Sequence, residues 1–162
     1  IAASDFEHGY RQYSIISTIS YAFDIHWLPL VKMVVICLIA LLLIGPIMIL
    51  GRRHYRSADP ALRLAFFSAL LPVIPLTFPM SEAHHLLILT LPLTVIVAYW
   101  QDLVVRGKGL IGDRLALLFI LSLAILHLGH IVKPAPFRLI GLLGLYGGMI
   151  TLLRTRVAKS DI

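Results

Sequence analysis

Residues 28–50 form an apolar run that contains a single charged side chain, that of Lys32. The hydrocarbon core of a bilayer is about 30 Å thick, so a helix needs about 20 apolar residues to cross it. Lys32 is within a turn or so of one end of the run, and its long side chain can reach the membrane surface from there. Trp27, directly before the run, is a residue type that anchors helices at that surface. The run therefore predicts a membrane-spanning helix.

Four shorter apolar runs follow the first, and the composition agrees with a membrane protein. Hydrophobic residues make up 59% of the 162 residues, whereas soluble domains have roughly 45–50%. Charged residues make up 14%, against about 25% in soluble domains. We predict an all-α fold, a polytopic membrane helix bundle of about five transmembrane helices. The predicted spans are residues 28–50, 61–78, 85–99, 115–132 and 139–153.

The segment before the first span has a different pattern. Apolar side chains recur at positions 15, 16, 19 and 23, with Ser or Thr between them, which is the spacing of an amphipathic helix. We expect an interfacial helix of about 12–14 residues, which is too short and too polar to cross the bilayer. We assign residues 1–162 to one membrane domain, with an interfacial segment (1–27), the five spans (28–153) and a tail (154–162).

Two of the spans carry local signals. Pro72, Pro75 and Pro79 fall within eight residues of the second span, and proline removes helix hydrogen bonds. They predict a broken or kinked helix, and irregular backbone at membrane depth is tolerated only where protein or a cavity surrounds it. Gly144 and Gly148 in the fifth span form a GxxxG pair, which indicates close packing against another helix.

The positions of the basic residues predict how the chain is oriented. If the spans alternate in direction, ten of the fourteen Lys and Arg residues fall on one side. These ten are Arg52, Arg53, Arg56, Arg63, Arg106, Lys108, Arg114, Arg154, Arg156 and Lys159. Basic residues are enriched on the cytoplasmic side of membrane proteins. We therefore predict that the tail is cytoplasmic and that residues 1–27, 81–85 and 134–136 are outside. Nucleic acid is not an expected partner, because no basic stripe with interleaved aromatic residues occurs.

The connection between the second and third spans has no Lys or Arg but contains Glu82, His84 and His85. A histidine with a pKa of about 6.5 can transfer protons or donate a hydrogen bond to phosphate. Polar residues at membrane depth are costly and are often functional. Alternatively, Ser81 caps a helix and Glu82 lies in its first turn, which leaves two histidines at the interface.

His127 and His130 in the fourth span are three residues apart and share a helix face. Two such histidines could bind a metal, or haem iron between helices. A hydrogen bond to a neighbouring helix is the alternative role for each. Cys37 is the only cysteine, so no Cys-based metal site is expected.

A third candidate lies before the interfacial helix. Glu7, His8 and Arg11, with Ser14, combine an acid, an imidazole and a guanidinium. Arginine matches the geometry of phosphate, so this segment could bind a phosphate head group. A solvated flank is the alternative interpretation.

The stretch Pro79-Met80-Ser81-Glu82-Ala83-His84-His85-Leu86 resembles glycosyltransferase family 87, the polyprenyl-phosphate-mannose-dependent membrane glycosyltransferases of the GT-C class. Members of that family carry a Pro-x-Ser-x-x-His-His type of motif at the outer start of a late transmembrane helix. Pro79, Ser81, His84 and His85 match this motif, while Glu82 and Ala83 stand where members often have an aromatic residue. Residues 9–15 also resemble the polar loop that precedes a short helix in the family.

The resemblance implies that the chain is the C-terminal portion of a larger hexosyltransferase that transfers a sugar, typically mannose, from a polyprenyl phosphate to an acceptor outside the cytoplasm. The aspartate that acts as base in this class would precede Ile1. By the same resemblance, His84, His85 and Glu82 are the expected catalytic residues. Arg11, Ser14, Ser81, Glu7 and His8 are the expected donor-binding residues.

The resemblance calls for no metal or other cofactor. It implies as partners the lipid-linked donor, membrane lipids and the remaining N-terminal helices of the same protein. It also implies a bacterial plasma membrane, with the His84-His85 connection on the periplasmic or extracellular side.

A second hypothesis belongs to a different class. The chain could be a non-catalytic membrane subunit or scaffold of a larger complex that holds haem or a metal through His127, His130 and His84 or His85. A transporter is a third possibility, since a broken second span can line a cavity.

Overall fold

A computed structural model describes residues 14–23, 26, 28–52, 60–77, 87–109, 112–131 and 136–160. These residues are helical for most of their length and include no strand, so the all-α prediction is confirmed. The helices are α1 (Ile15–Phe23), α2 (Pro29–Arg52), α3 (Pro60–Leu70), α4 (Val73–Thr77), α5 (Thr90–Val105), α6 (Arg114–Ile131) and α7 (Pro136–Ser160).

Four helical stretches are long and apolar enough to cross a membrane, namely Pro29–Arg52, Pro60–Thr77, Leu87–Val105 and Phe137–Val157. The chain is an integral membrane protein. The described part of each predicted span is mostly helical, and the fourth span corresponds to the 18-residue α6. A helix of that length is about 27 Å long, close to the thickness of the hydrocarbon core. The apolar stretch of α6, Arg114–Leu128, is shorter than the other four.

The second predicted span is broken, as its prolines indicated. α3 ends at Leu70, and α4 begins at Val73 after a turn at residues 71–72. Pro72 has no N–H, so it cannot donate a hydrogen bond to the carbonyl four residues earlier, and the helix is interrupted there. Pro72 and Pro75 are both buried. The irregular backbone is therefore surrounded by protein, as a bilayer requires.

α7 is the central helix of the bundle, because it contacts α1, α2, α3, α4 and α6. Its closest neighbour is the antiparallel α6. A Cβ atom on Gly141 would lie 2.6 Å from the backbone nitrogen of Leu126, and one on Gly144 would collide with the hydroxyl of Ser122. Gly148 packs in the same way against the ring of Phe119. The close packing predicted at Gly144 and Gly148 is present, and Gly141 extends it by almost one turn.

α2 is attached to the bundle by few residues. Only 6% of the most apolar 18-residue stretch of α2 is buried. The buried residues of the whole helix are Ile47 and Gly51. The Tyr146 hydroxyl on α7 donates a hydrogen bond to the backbone carbonyl of Leu43. That carbonyl lies one turn before Pro46, which interrupts the helix hydrogen bonds locally. The rest of α2 presents leucines, isoleucines and valines to its surroundings.

The described basic residues gather at one end of the bundle. The ends of α2 and α7 and the start of α3 line one cavity through Gly51, Leu153 and Leu62. The hydrogen bond between Tyr99 and Asp113 joins the end of α5 to the start of α6, and α6 runs antiparallel to α7. We call this the basic end. It carries Arg52, Arg63, Arg106, Lys108, Arg114, Arg154, Arg156 and Lys159, whereas Lys32 and Arg138 lie at the opposite end.

Candidate functional site

Most of the predicted site residues lie outside the described residues. These are Glu7, His8, Arg11, Ser81, Glu82, His84 and His85. Their roles stay predictions. Chain connectivity limits where the histidine pair can be, because residues 78–86 join Thr77, at the end of α4, to Leu87, just before α5. Thr77 and Leu87 are both at the opposite end, away from most of the described basic residues.

Ser14 is the one predicted donor-binding residue that the structure describes, and it caps α1. Its side chain is buried. Its hydroxyl accepts a hydrogen bond from the backbone N–H of Ser17 at 3.1 Å and lies 2.7 Å from the Ser17 hydroxyl. This is the standard arrangement of a helix N-cap. Capping and packing account for the burial of Ser14, and donor binding by this residue stays a prediction.

α1 packs on the bundle and is shorter than expected. It has nine residues, against the 12–14 predicted, and it contacts α2, α4 and α7. Ile16 is buried, and so are Ser14 and Ser17, while Phe23 is exposed. The side that faces the protein therefore includes serine hydroxyls as well as the apolar residues expected from the periodicity. This brings polar groups into contact with the opposite end of the bundle.

Arg138 is a candidate that sequence reasoning missed. It lies in the first turn of α7, and its exposed fraction is only 8%. A buried guanidinium costs several kcal/mol unless charges or hydrogen bonds satisfy it, and Arg138 does interact within the chain. A cation in the first turn also opposes the helix dipole. This unfavourable position in the sequence was the signal that could have identified Arg138, because charged residues kept at an energetic cost within membrane helices are often functional.

The opposite end holds most of the buried polar groups. Six polar or charged residues are buried in the described part of the chain. Four of them lie on α1, α4 and α7, which contact one another. These four are Ser14, Ser17, Thr77 and Arg138. The Thr77 hydroxyl donates to the carbonyl of Val73 at 2.9 Å, so it is satisfied within its own helix. The opposite end therefore combines a buried cation with several hydroxyls.

Metal ligands do not cluster among the described side chains. No group of three His, Cys, Asp or Glu residues occurs in that part of the chain. His127 is exposed on α6, and Cys37 is exposed on α2. The structure describes the backbone of His130 and not its side chain. Binding of haem or a metal by His127 and His130 stays a hypothesis.

Asp113 at the basic end makes the densest set of side-chain hydrogen bonds described, and its role is structural. Its Oδ1 accepts bonds from the N–H groups of Ala116 and Leu115 and from the Tyr99 hydroxyl. Burial raises the pKa of this carboxyl, but the hydrogen bonds from Ala116, Tyr99 and Leu115 outweigh burial and hold the pKa below its usual value. Asp113 is therefore ionised at neutral pH and caps α6.

Comparisons with known proteins do not identify the site. No model of a protein family, no curated protein and no solved structure matches this chain. The candidate site is therefore the opposite end of the bundle, defined by the buried polar residues of α1, α4 and α7 and by the chain ends that flank residues 78–86.

Proposed function

We propose that this chain is the C-terminal membrane portion of a glycosyltransferase that uses a polyprenyl-phosphate sugar, typically mannose. The sugar is transferred at the opposite end of the bundle to an acceptor outside the cytoplasm. The observation that carries the proposal is the Pro79–Leu86 motif, which resembles that of glycosyltransferase family 87. The positions of Thr77, where α4 ends, and Leu87, just before α5, support it, because they flank the motif at the end where the described buried polar groups collect.

The chemistry of the donor agrees with the residues available. When the glycosidic bond to the carrier breaks, negative charge develops on the departing phosphate. Preorganised donors and cations aimed at such a charge are worth most where water is excluded. His84 or His85 would donate to the phosphate, and adjacent residues on a helix point about 100° apart, so one of the pair faces it most directly. The buried guanidinium of Arg138 adds a cation suited to phosphate.

The distribution of charge supports an outer location. Among the described residues, eight Lys and Arg residues lie at the basic end and two at the opposite end. Basic residues favour the cytoplasmic side of a membrane. The histidine pair then faces the periplasm or the exterior, where a lipid carrier presents its sugar in this class of enzyme.

The unpacked surface of α2 leaves room for further helices of a larger enzyme. Leu30, Leu41, Leu42 and Ile49 are each at least two-thirds exposed. In a larger enzyme, preceding helices and lipid would cover these side chains. The base that deprotonates the acceptor would come from those helices.

Sugar transfer by the full-length protein in liposomes tests the proposal. His84→Ala and His85→Ala are compared with His127→Ala, which removes an exposed histidine of α6. We expect at least one variant of the pair to lower kcat by roughly 100-fold to 1,000-fold, as loss of a transition-state hydrogen-bond donor does. His127→Ala should transfer sugar at the wild-type rate, as measured with a radiolabelled polyprenyl-phosphate mannose.

Two outcomes would count against the enzyme. An unchanged rate of sugar transfer in both His84→Ala and His85→Ala would show that the motif takes no part in the reaction. A haem absorption band or a stoichiometric metal in the purified protein, lost in His127→Ala, would favour the non-catalytic subunit instead.

A further inference from the structure

A cavity of about 400 Å³ opens at the basic end, between α2, α3 and α7. Sites for small ligands have volumes of roughly 300–1,000 Å³ and are lined mainly by apolar side chains. Met48, Phe66, Phe67 and Leu153 are among the apolar residues of this cavity, and none of the described residues that line it is a carboxylate. The cavity is thus large enough for part of an organic ligand, and its interior suits a hydrocarbon.

The packing of α2 on α3 shapes this cavity. Gly51, at the end of α2, lies so close to the ring of Phe66 that a Cβ atom would collide with it. The ring therefore occupies the space that a side chain at position 51 would need. Met48 and Phe67, which also line the cavity, remain more than half exposed. The cavity is therefore open on the side that faces the bilayer, from which a lipid chain can enter.

One cation lines the cavity, and two others directly follow lining residues in the sequence. Arg63 is part of its lining. Arg52 follows Gly51 and Arg154 follows Leu153 in the sequence, and both are exposed. Arg63 also interacts within the chain, and the five N–H donors of a guanidinium can serve more than one acceptor. Basic pockets between transmembrane helices at the membrane surface bind phosphate head groups of lipids.

We propose that the cavity binds one anionic glycerophospholipid. An acyl chain lies between α2, α3 and α7, and the phosphate contacts Arg63. The charge of Arg63 selects an anionic head group, and the apolar, laterally open interior selects a hydrocarbon chain over a free anion. This site is separate from the proposed donor site, because the two lie at opposite ends of the bundle.

Thermal unfolding of the delipidated full-length protein in a neutral detergent tests the proposal. Dioleoylphosphatidylglycerol is titrated against dioleoylphosphatidylcholine, which has the same chains without net charge. We expect the anionic lipid to raise the unfolding midpoint at a roughly fivefold lower concentration than phosphatidylcholine does. A contact between an anionic head group and one cation near the surface increases affinity by about that factor. Inorganic phosphate and a polyprenyl phosphate serve as further probes.

Two pairs of variants separate the charge from the hydrocarbon part. Arg63→Gln should weaken the effect of phosphatidylglycerol about fivefold, whereas Lys108→Gln, at the same end but outside the cavity, should not. Met48→Trp fills the cavity and should abolish the effect. Ile49→Trp, on the exposed surface of α2, should leave it intact. Should Arg63→Gln fail to fold, the tryptophan pair decides alone, because Met48 and Ile49 are both largely exposed.

Several results would overturn the proposal. Equal stabilisation by the two phospholipids would remove selection of an anion. An equal loss in Lys108→Gln and Arg63→Gln would indicate general surface charge. An equal shift with inorganic phosphate would show a simple anion site, and a stronger effect of polyprenyl phosphate would assign the cavity to that carrier.

Discussion

Oδ1 of Asp113 accepts hydrogen bonds from the N–H of Ala116 at 2.9 Å, the N–H of Leu115 at 3.0 Å and the Tyr99 hydroxyl at 2.8 Å. The first two satisfy N–H groups that a helix start leaves without partners. The third connects α5 to α6, where the rings of Tyr99 and Phe119 also meet edge to face at 6.4 Å. One carboxylate thus starts a helix and fixes its neighbour. Asp102 differs, because its ion pair with Arg106 at 2.9 Å is exposed.

These contacts predict different costs for two aspartates at the same end. Asp113→Ala should lower the free energy of unfolding by about 1 kcal/mol, the usual cost of losing an N-cap, with an added loss from the Tyr99 contact. Asp102→Ala should cost less than about 0.5 kcal/mol, because exposed pairs of this spacing contribute little. Thermal unfolding of the purified protein in detergent measures both. A larger loss in Asp102→Ala would contradict the assignment of the cap.

The same carboxylate predicts a dependence on pH. The pKa of Asp113 is lower in the folded protein than in the unfolded chain, where it is about 3.9. Its stabilisation is therefore complete above about pH 4 and is lost as the pH falls through the folded pKa. The difference in unfolding midpoint between wild type and Asp113→Ala should shrink as the pH is lowered from 5 to 3. A difference that grows on acidification would reverse the sign and exclude a lowered pKa.

At the scale of elements, the contact between α6 and α7 depends on which glycines face it. Gly141 meets backbone atoms of Leu126 and Ser122, whereas nothing lies within 4 Å of a Cβ on Gly147. Gly144 meets mainly the Ser122 side chain, which donates to the Leu118 carbonyl at 2.7 Å. Backbone cannot rotate away as a side chain can. The tightest constraint is therefore at Gly141, beyond the GxxxG pair.

Alanine substitution tests this ranking within one helix. Gly141→Ala should destabilise the bundle by roughly 1–3 kcal/mol, the usual cost of forcing extra atoms into a packed contact. Gly147→Ala should cost nothing and can gain stability, because alanine favours the helix more than glycine does. Unfolding midpoints of both variants in the same detergent give the comparison. Equal midpoints would show that α6 and α7 do not approach each other at Gly141.

At the scale of the whole molecule, the helices alternate so that their ends fall into two groups of different chemistry. The basic end carries most of the described cations and the cavity of about 400 Å³. The opposite end carries the buried hydroxyls and Arg138. The proposed donor site and the proposed phospholipid site therefore belong to different membrane surfaces, and a test of orientation bears on both.

Single cysteines measure that orientation. In a Cys37→Ser background, Ala83→Cys places a thiol in the motif, and Lys108→Cys places one at the basic end. We expect a membrane-impermeant maleimide to label position 83 in intact cells and position 108 only after permeabilisation, because basic residues favour the cytoplasm. The reverse pattern would place the motif inside and remove the proposed extracytoplasmic transfer.

Much of the fold could be predicted from the sequence, because it depends on properties that act along the chain. The apolar runs gave the spans, since each must satisfy its backbone groups internally in lipid. Pro72 predicted the break between α3 and α4, because a missing N–H acts locally. The alternation of basic residues predicted the two ends that the helices form. Gly144 and Gly148 correctly indicated a close contact.

Only the tertiary structure decided which side of each helix faces protein. The apolar face of a membrane helix packs against lipid and against other helices alike. Hydropathy therefore could not show that most side chains of α2 are exposed while α7 is the central helix. For the same reason the sequence could not separate Gly141 from Gly147, or show that Arg138 is buried. The cavity between α2, α3 and α7 was likewise unpredictable, because its walls come from residues more than a hundred positions apart that only packing brings together.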